Sequence, residues 1–253
     1  MMVRFYCFVR DTAMKYISLG YFCSVAMDLE RHGLRSESSP FDWLISDFEG
    51  VLSLMENHFE GFLNYDDLAQ EPNNRAIYKN TRYNVSFYHD FDSLVPLREQ
   101  LPEVQRKYDR RIDRFYNSIT EPTFFIRYIS DEDLVNGRSK ELLWIEENYG
   151  SILALLKSFH PDNDILFIAN EGVTSETIHI YHVERDRGDA VARNPLFKSK
   201  ELYELFRALP CPGRAENLNR YKKQHHRLHR IKSKVTALFR KYFRKEYIHE
   251  KQC

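Results

Sequence analysis

Short apolar runs alternate with longer helix-patterned segments along most of this 253-residue chain, and that alternation restricts the architectures open to it. Residues 16–20, 83–88, 123–129, 164–169 and 177–183 read as strands, each apolar or alternating over a strand-like length. Between them, residues 23–32, 48–63, about 98–118 and about 141–159 read as helices, with apolar side chains recurring three and four apart. Strands that alternate with helices favour parallel pairing, because each crossover helix lays its apolar face on the sheet. The expectation is an α/β fold with a mixed, largely parallel sheet covered by helices. Residues 64–82, rich in Asn, Asp and Pro, read as the longest loop and as a lid near a site. No internal repeat is visible.

The first strand-to-helix junction carries the chemistry. In YISLGYFCSVAMDLERHGLRSESSPFDW, residues 16–43, the apolar run breaks at Gly20 and Cys23 follows as a helical pattern begins. Val25, Ala26, Leu29 and Leu34 fall near helical spacing, and Gly33 is a stop signal. A thiol at a helix N-terminus faces unpaired amides and the positive end of the helix dipole, which favour thiolate and hence a nucleophile. The bland alternative is a buried cysteine packed as a small hydrophobe.

A thiol nucleophile needs a base, and His89, in YNVSFYHDFD (83–92), ends a strand-like alternation. Its ring needs an orienting carboxylate, for which Asp42 and Asp90 are the candidates. Adjacent strand residues point to opposite faces, so Asp90 serves only if the strand has ended, which ranks Asp42 ahead and leaves Asp90 to hold the loop. Arg127, inside the apolar strand FFIRY, needs a carboxylate, Asp42 or Asp90, or a substrate anion. Trp43 joins it as a candidate substrate-binding residue. Arg110, Arg111 and Arg114 read as a solvated helix face. His179 and His182, three apart in a strand, point to opposite faces and make a poor metal pair.

Five blocks, SLGYFCSVAMDL (18–29), GLRSESSPFDWLIS (33–46), FYHDF (87–91), RRIDRF (110–115) and FFIRY (124–128), resemble a family of bacterial papain-like cysteine peptidases of unassigned function. Genes for such proteins often lie near surface-polysaccharide clusters. This chain has Phe22 where the family has a polar residue before the cysteine. The resemblance implies a Cys/His site and a thioester mechanism, with Cys23 and His89 in the papain-like order. Its papain-like α+β architecture, a helical part beside an antiparallel sheet, stands as the alternative to the parallel sheet. Hydrolysis of a peptide or amide is the first reaction it implies. Acyl transfer to a sugar hydroxyl is the second, and a non-catalytic module for glycan assembly the third.

Composition bears on compartment and partners. Cys7, Cys23, Cys211 and Cys253 show no close pairing and no C-x-x-C spacing, so neither a metal nor a disulfide framework is expected, and a reducing, cytoplasmic compartment is the simpler assumption. No Gly-rich phosphate loop occurs and no cofactor is expected. Residues 1–13 read as a disordered extension, too short in apolar run for a signal peptide, ahead of a catalytic domain at 14–217. Residues 218–253 form the remainder. From 220 onward twelve Lys or Arg face two Glu, a net of +10 that leaves −10 on the rest of this formally neutral chain. Leu228, Ile231, Val235 and Leu238 recur three and four apart, so 220–247 reads as a basic amphipathic helix. It docks on the acidic domain or meets an anionic membrane face; nucleic acid is not expected. The substrate is a small molecule, a glycan or a peptide.

Overall fold

The structure, a computed structural model, describes residues 14–187, 192–208 and 210–226. Two four-stranded sheets organise it. In the first, β1 (Lys15–Ser18), β6 (Thr123–Tyr128), β7 (Asp164–Asn170) and β8 (Ile180–Val183) lie side by side in that order, every pair parallel. In the second, β2 (Leu44–Ser46), β5 (Val85–Phe87), β4 (Asn74–Asn80) and β3 (Leu68–Glu71) are antiparallel. The expected α/β class holds, and the antiparallel component of the alternative forms a separate sheet beside the parallel one.

Both faces of the parallel sheet are covered, which explains why its strands are apolar without a break. Side chains alternate between two cores as the pleat requires. Tyr16, Phe124, Ile126, Leu166 and Ile168 enter one cluster with Val25 and Leu29 of α1 (Cys23–Arg31). Ile17, Phe125, Phe167 and Ala169 enter the larger cluster. There they meet α2 (Phe48–Glu56), α3 (Leu97–Ile119), α4 (Lys140–Phe159) and the inner face of the antiparallel sheet. Ser139 caps α4 by accepting from Leu142 N at 3.2 Å, satisfying one of the amides left open at a helix start.

Residues 64–82 are not a loop. A single 3-10 turn (Tyr65–Asp67) leads into the β3–β4 hairpin, closed at Pro72 and Asn73. The turn-forming residues that suggested a loop supply the hairpin tip, while Leu68, Ile77 and Tyr78 are buried and make the strands. Asn80 is fully buried and holds the hairpin down: its Nδ2 donates to Gly61 O and Phe62 O, both at 3.0 Å, and its Oδ1 accepts from Tyr83 N at 2.9 Å.

After β8 come α5 (Pro195–Lys198) and α6 (Lys200–Ala208), then a helix α7 described over residues 214–226. Gly33 lets α7 approach: at φ +68° it has the conformation glycine favours, and a Cβ there would lie 2.6 Å from Arg214 O. The apolar stripe expected at Leu228, Ile231, Val235 and Leu238 lies outside the described residues, as do residues 1–13. Among the described residues no helix is long and apolar enough to cross a membrane.

Candidate active site

The carboxyl ends of the four parallel strands open on one edge, the place where open α/β sheets bind ligands. Cys23 stands at that edge as the first residue of α1. Its N-cap, Phe22, is extended (φ −140°, ψ 166°) and offers no side-chain acceptor, and no acidic residue occupies the first turn. The α1 amides are therefore left without a local carboxylate, the condition under which a helix start attracts an anion. The thiol is half-buried, and burial pushes its pKa up while its own backbone amide pulls it down.

The loop that presents Cys23 is held by Arg127. This side chain is fully buried and donates from Nη1 to Leu19 O at 2.8 Å and to Ser46 Oγ at 3.2 Å. Its Nη2 donates to Ser46 O at 2.6 Å and its Nε to Glu141 Oε1 at 2.7 Å. Glu141 Oε2 accepts from Ser130 N at 3.1 Å. Gly20, at φ +84°, fits this knot because a Cβ would sit 2.7 Å from Ser46 Oγ and 3.0 Å from Arg127 Nη1. The carboxylate opposite Arg127 is thus Glu141, on the first turn of α4, rather than Asp42 or Asp90. Its remaining donors are spent on backbone and serine oxygens, which makes Arg127 a brace for the β1–α1 loop.

Further polar groups ring the edge. Tyr21 donates its hydroxyl to Glu132 at 3.0 Å, and burial together with that carboxylate pushes the phenol up to about 12. Tyr128 Oη donates to Asn170 Oδ1 at 2.6 Å, Asn170 Nδ2 donates to Asp131 Oδ2 at 3.1 Å, and Arg185 pairs with Asp131. None of Tyr21, Ser130, Asp131, Glu132, Glu141 or Asn170 is a candidate on sequence alone. Their one shared signal is position, since most follow or end an apolar strand run.

The histidine side of the expected site is reached along β2. Tyr21 O accepts from Ser46 N at 3.3 Å, so the Cys23 loop touches the Ser46 end of β2. In the β2–β5 register Ser46 faces Val85 and Leu44 faces Phe87, so Asp42, Trp43 and His89 lie past the opposite end. Among the described residues no hydrogen bond or ion pair joins Cys23 to His89. The His89 ring instead meets Trp43 edge-on at 6.0 Å between centroids, and lines an open cleft of about 600 Å³ with Asp90, Lys107 and Arg110. Asp42 is fully buried; its Oδ2 accepts from Ser39 N at 2.7 Å and pairs with Arg35. Burial pushes the Asp42 carboxyl up, opposed by Arg35, the Ser39 amide and Arg111. Asp90 pairs with Lys107 and accepts from Tyr108 Oη at 2.9 Å, so it ties its loop to α3.

Three expectations about other residues meet the structure here. Arg110 is exposed on α3, but Arg111 Nη1 and Arg114 Nε are shielded from solvent, so only part of that face is solvated. His182 Nε2 meets Val173 O at 2.5 Å, and His179 stacks edge-on against Tyr181 at 4.5 Å. Among the described residues no group of three His, Cys, Asp or Glu side chains is placed to hold a metal.

Cys23 thus stands at a strand-to-helix junction on the carboxyl edge of the parallel sheet. The comparison with known families points to a class. Residues 14–148 match the family described as "Putative papain-like cysteine peptidase (DUF1796)", and the chain belongs to that family. The matched span holds Cys23, Asp42, Trp43, His89, Asp90, Arg127 and Glu141. The chain is also similar to "Uncharacterized protein R408" of Acanthamoeba polyphaga mimivirus, at 29% identity over 175 residues that cover 61% of this chain and 77% of that protein. That relative is viral, whereas the family resemblance read from the sequence is to bacterial proteins. No solved structure matches.

Proposed function

We propose that the protein is a cysteine hydrolase in which the Cys23 thiolate attacks an acyl carbonyl, forms a thioester with loss of an amine or alcohol, and returns to thiol as water cleaves it. The observation that carries this reading is the position of Cys23, first residue of an uncapped helix at the carboxyl edge of the parallel sheet. There the α1 amides face both the thiolate and the oxyanion of the tetrahedral intermediate. Their field opposes the burial that pushes the thiol up. The family described above supports the hydrolase class.

In the Cys–His form of the reading, His89 takes the thiol proton and gives it to the leaving group, with Asp42 or Asp90 orienting the ring. That form requires the Trp43–His89 region to close on the Ser46 end of β2. Transfer of the same thioester to a sugar hydroxyl makes the protein an acyltransferase. The surface-polysaccharide setting of the proteins it resembles bears on that version.

Alkylation of the intact protein tests the class. Cys23 is expected to react several-fold faster near pH 7 than Cys211, whose Sγ is directed at Gly33 O and Leu34 O. Cys23→Ser is expected to remove the fast phase and all acyl-enzyme formation. His89→Ala slows the fast phase in the Cys–His form and leaves it unchanged if the helix amides alone activate the thiol. Among the described residues no imidazole is bonded to Cys23, which favours one competing reading, a non-catalytic binding module. Equal labelling of Cys23 and Cys211 would count against activation and support that reading.

A further inference from the structure

The block around Asp42 packs against α3 in a way that strands several polar atoms. Asp42 Oδ1 has no hydrogen-bond partner although the side chain is fully buried. Beside it, Arg35 Nε, Ser39 Oγ, Arg111 Nη1 and Arg114 Nε are likewise shielded from water and without a hydrogen-bond partner among the described residues. These atoms belong to one cluster. Arg35 pairs with Asp42, and its side chain is only 8% exposed. Ser39 N donates to Asp42, and Arg111 lies close enough to lower the Asp42 pKa. Arg114 Nη2 reaches Ser38 O at 3.5 Å.

The balance of the cluster is what suggests a ligand. The cluster leaves four donors without partners, three of them on guanidinium groups, against one orphan carboxylate oxygen. Leaving a buried donor unpaired is costly, more so when it is charged, so a cluster of such groups calls for a partner that completes them. A single bridging solvent molecule accepts at most two such bonds, fewer than the four donors present, and the Arg111 guanidinium otherwise sits over the Tyr108 ring at 5.1 Å. Glu37 marks the way in. Its carboxylate lies 3.5 Å from Arg114 Nε, and its side chain is 61% exposed, so it holds the solvent-facing side of the cluster.

We propose that this cluster is a binding site for a phosphate-type oxyanion, entered by displacement of Glu37 from Arg114. The oxyanion's oxygens accept from Arg35, Ser39, Arg111 and Arg114, and its protonated oxygen donates to Asp42 Oδ1. Guanidinium groups suit this role because their planar forks match the spacing of phosphate oxygens. The site lies past the Leu44 end of β2, away from Cys23, and does not depend on the chemistry of the thiol.

Titration calorimetry of the full chain with inorganic phosphate, at ionic strength held constant with potassium chloride, tests it. The expected result is saturable binding that tightens several-fold in Glu37→Gln, where the internal competitor is gone. Arg111→Gln removes a charge-assisted bond worth about 1.5–3 kcal/mol, so roughly a tenfold weakening or more follows. Should Arg111→Gln compromise folding, Arg114→Gln, at a side chain 39% exposed, makes the same measurement on a folded protein. Absence of saturable binding in both the wild type and Glu37→Gln overturns the proposal. So does binding that neither arginine substitution changes.

Discussion

At the scale of single residues, Arg127 shows how a buried charge is made tolerable and what it then governs. The hydrogen bonds of its guanidinium end on groups that shape the Cys23 loop: Leu19 O, both oxygens of Ser46, and Glu141. Removing it leaves Glu141, 12% exposed, as an uncompensated carboxylate. Arg127→Met is therefore expected to cost about 3–5 kcal/mol, the usual penalty for breaking one side of a buried pair, measured as a shift of the urea midpoint. Glu141→Gln in the same background should recover part of the loss by removing the stranded charge. Recovery absent, or a cost near that of a surface substitution, would mean that the pair is not coupled. The sequence shows that Arg127 needs a carboxylate but not which one. Asp42 and Asp90 lie in conspicuous blocks, whereas Glu141 is one acidic residue among several in a helix whose docking depends on the whole larger core.

At the scale of elements, most strands and helices are legible because periodicity is a local property. The helix at α1, the long α3 and the buried β6 follow from spacing alone, since each must cover or fill a sheet. The β3–β4 hairpin is not legible, because its strands are short and its Asn and Pro residues dominate the composition of the segment. What decides it is Asn80, whose three bonds go to backbone atoms of residues 61, 62 and 83. Asn80→Ala should destabilise the protein by about 2–3 kcal/mol, the cost of leaving buried backbone groups unpaired. Amide exchange should rise first in residues 68–80. Uniform loss of protection across both sheets would instead show that the hairpin has no independent weakness. Sequence order places Cys23 and His89 in matched blocks, but the β2–β5 register, a long-range property, decides which end of β2 each lies toward.

At the scale of the whole molecule, charge is distributed unevenly, with +10 on residues 220–253 and −10 on the remainder. If the tail continues α7 with its apolar stripe uncovered, it suits an anionic bilayer. Binding to vesicles containing anionic lipid should then weaken steeply as salt rises, because screening shortens the reach of the charges. Deleting 227–253 should abolish it. No binding to such vesicles at low salt would leave docking on the acidic body as the role of the tail, and the same deletion should then lower thermal stability. The parallel sheet carries a consequence of another kind. β1 pairs with β6, so Tyr16 finds its neighbour Phe124 only after more than a hundred intervening residues, which include the entire antiparallel sheet. Closing so large a loop makes for slow folding. During synthesis the segment bearing Cys23 emerges before β6 and waits for its strand partner. The β1–α1 junction is thus made well before the strand that holds it in place.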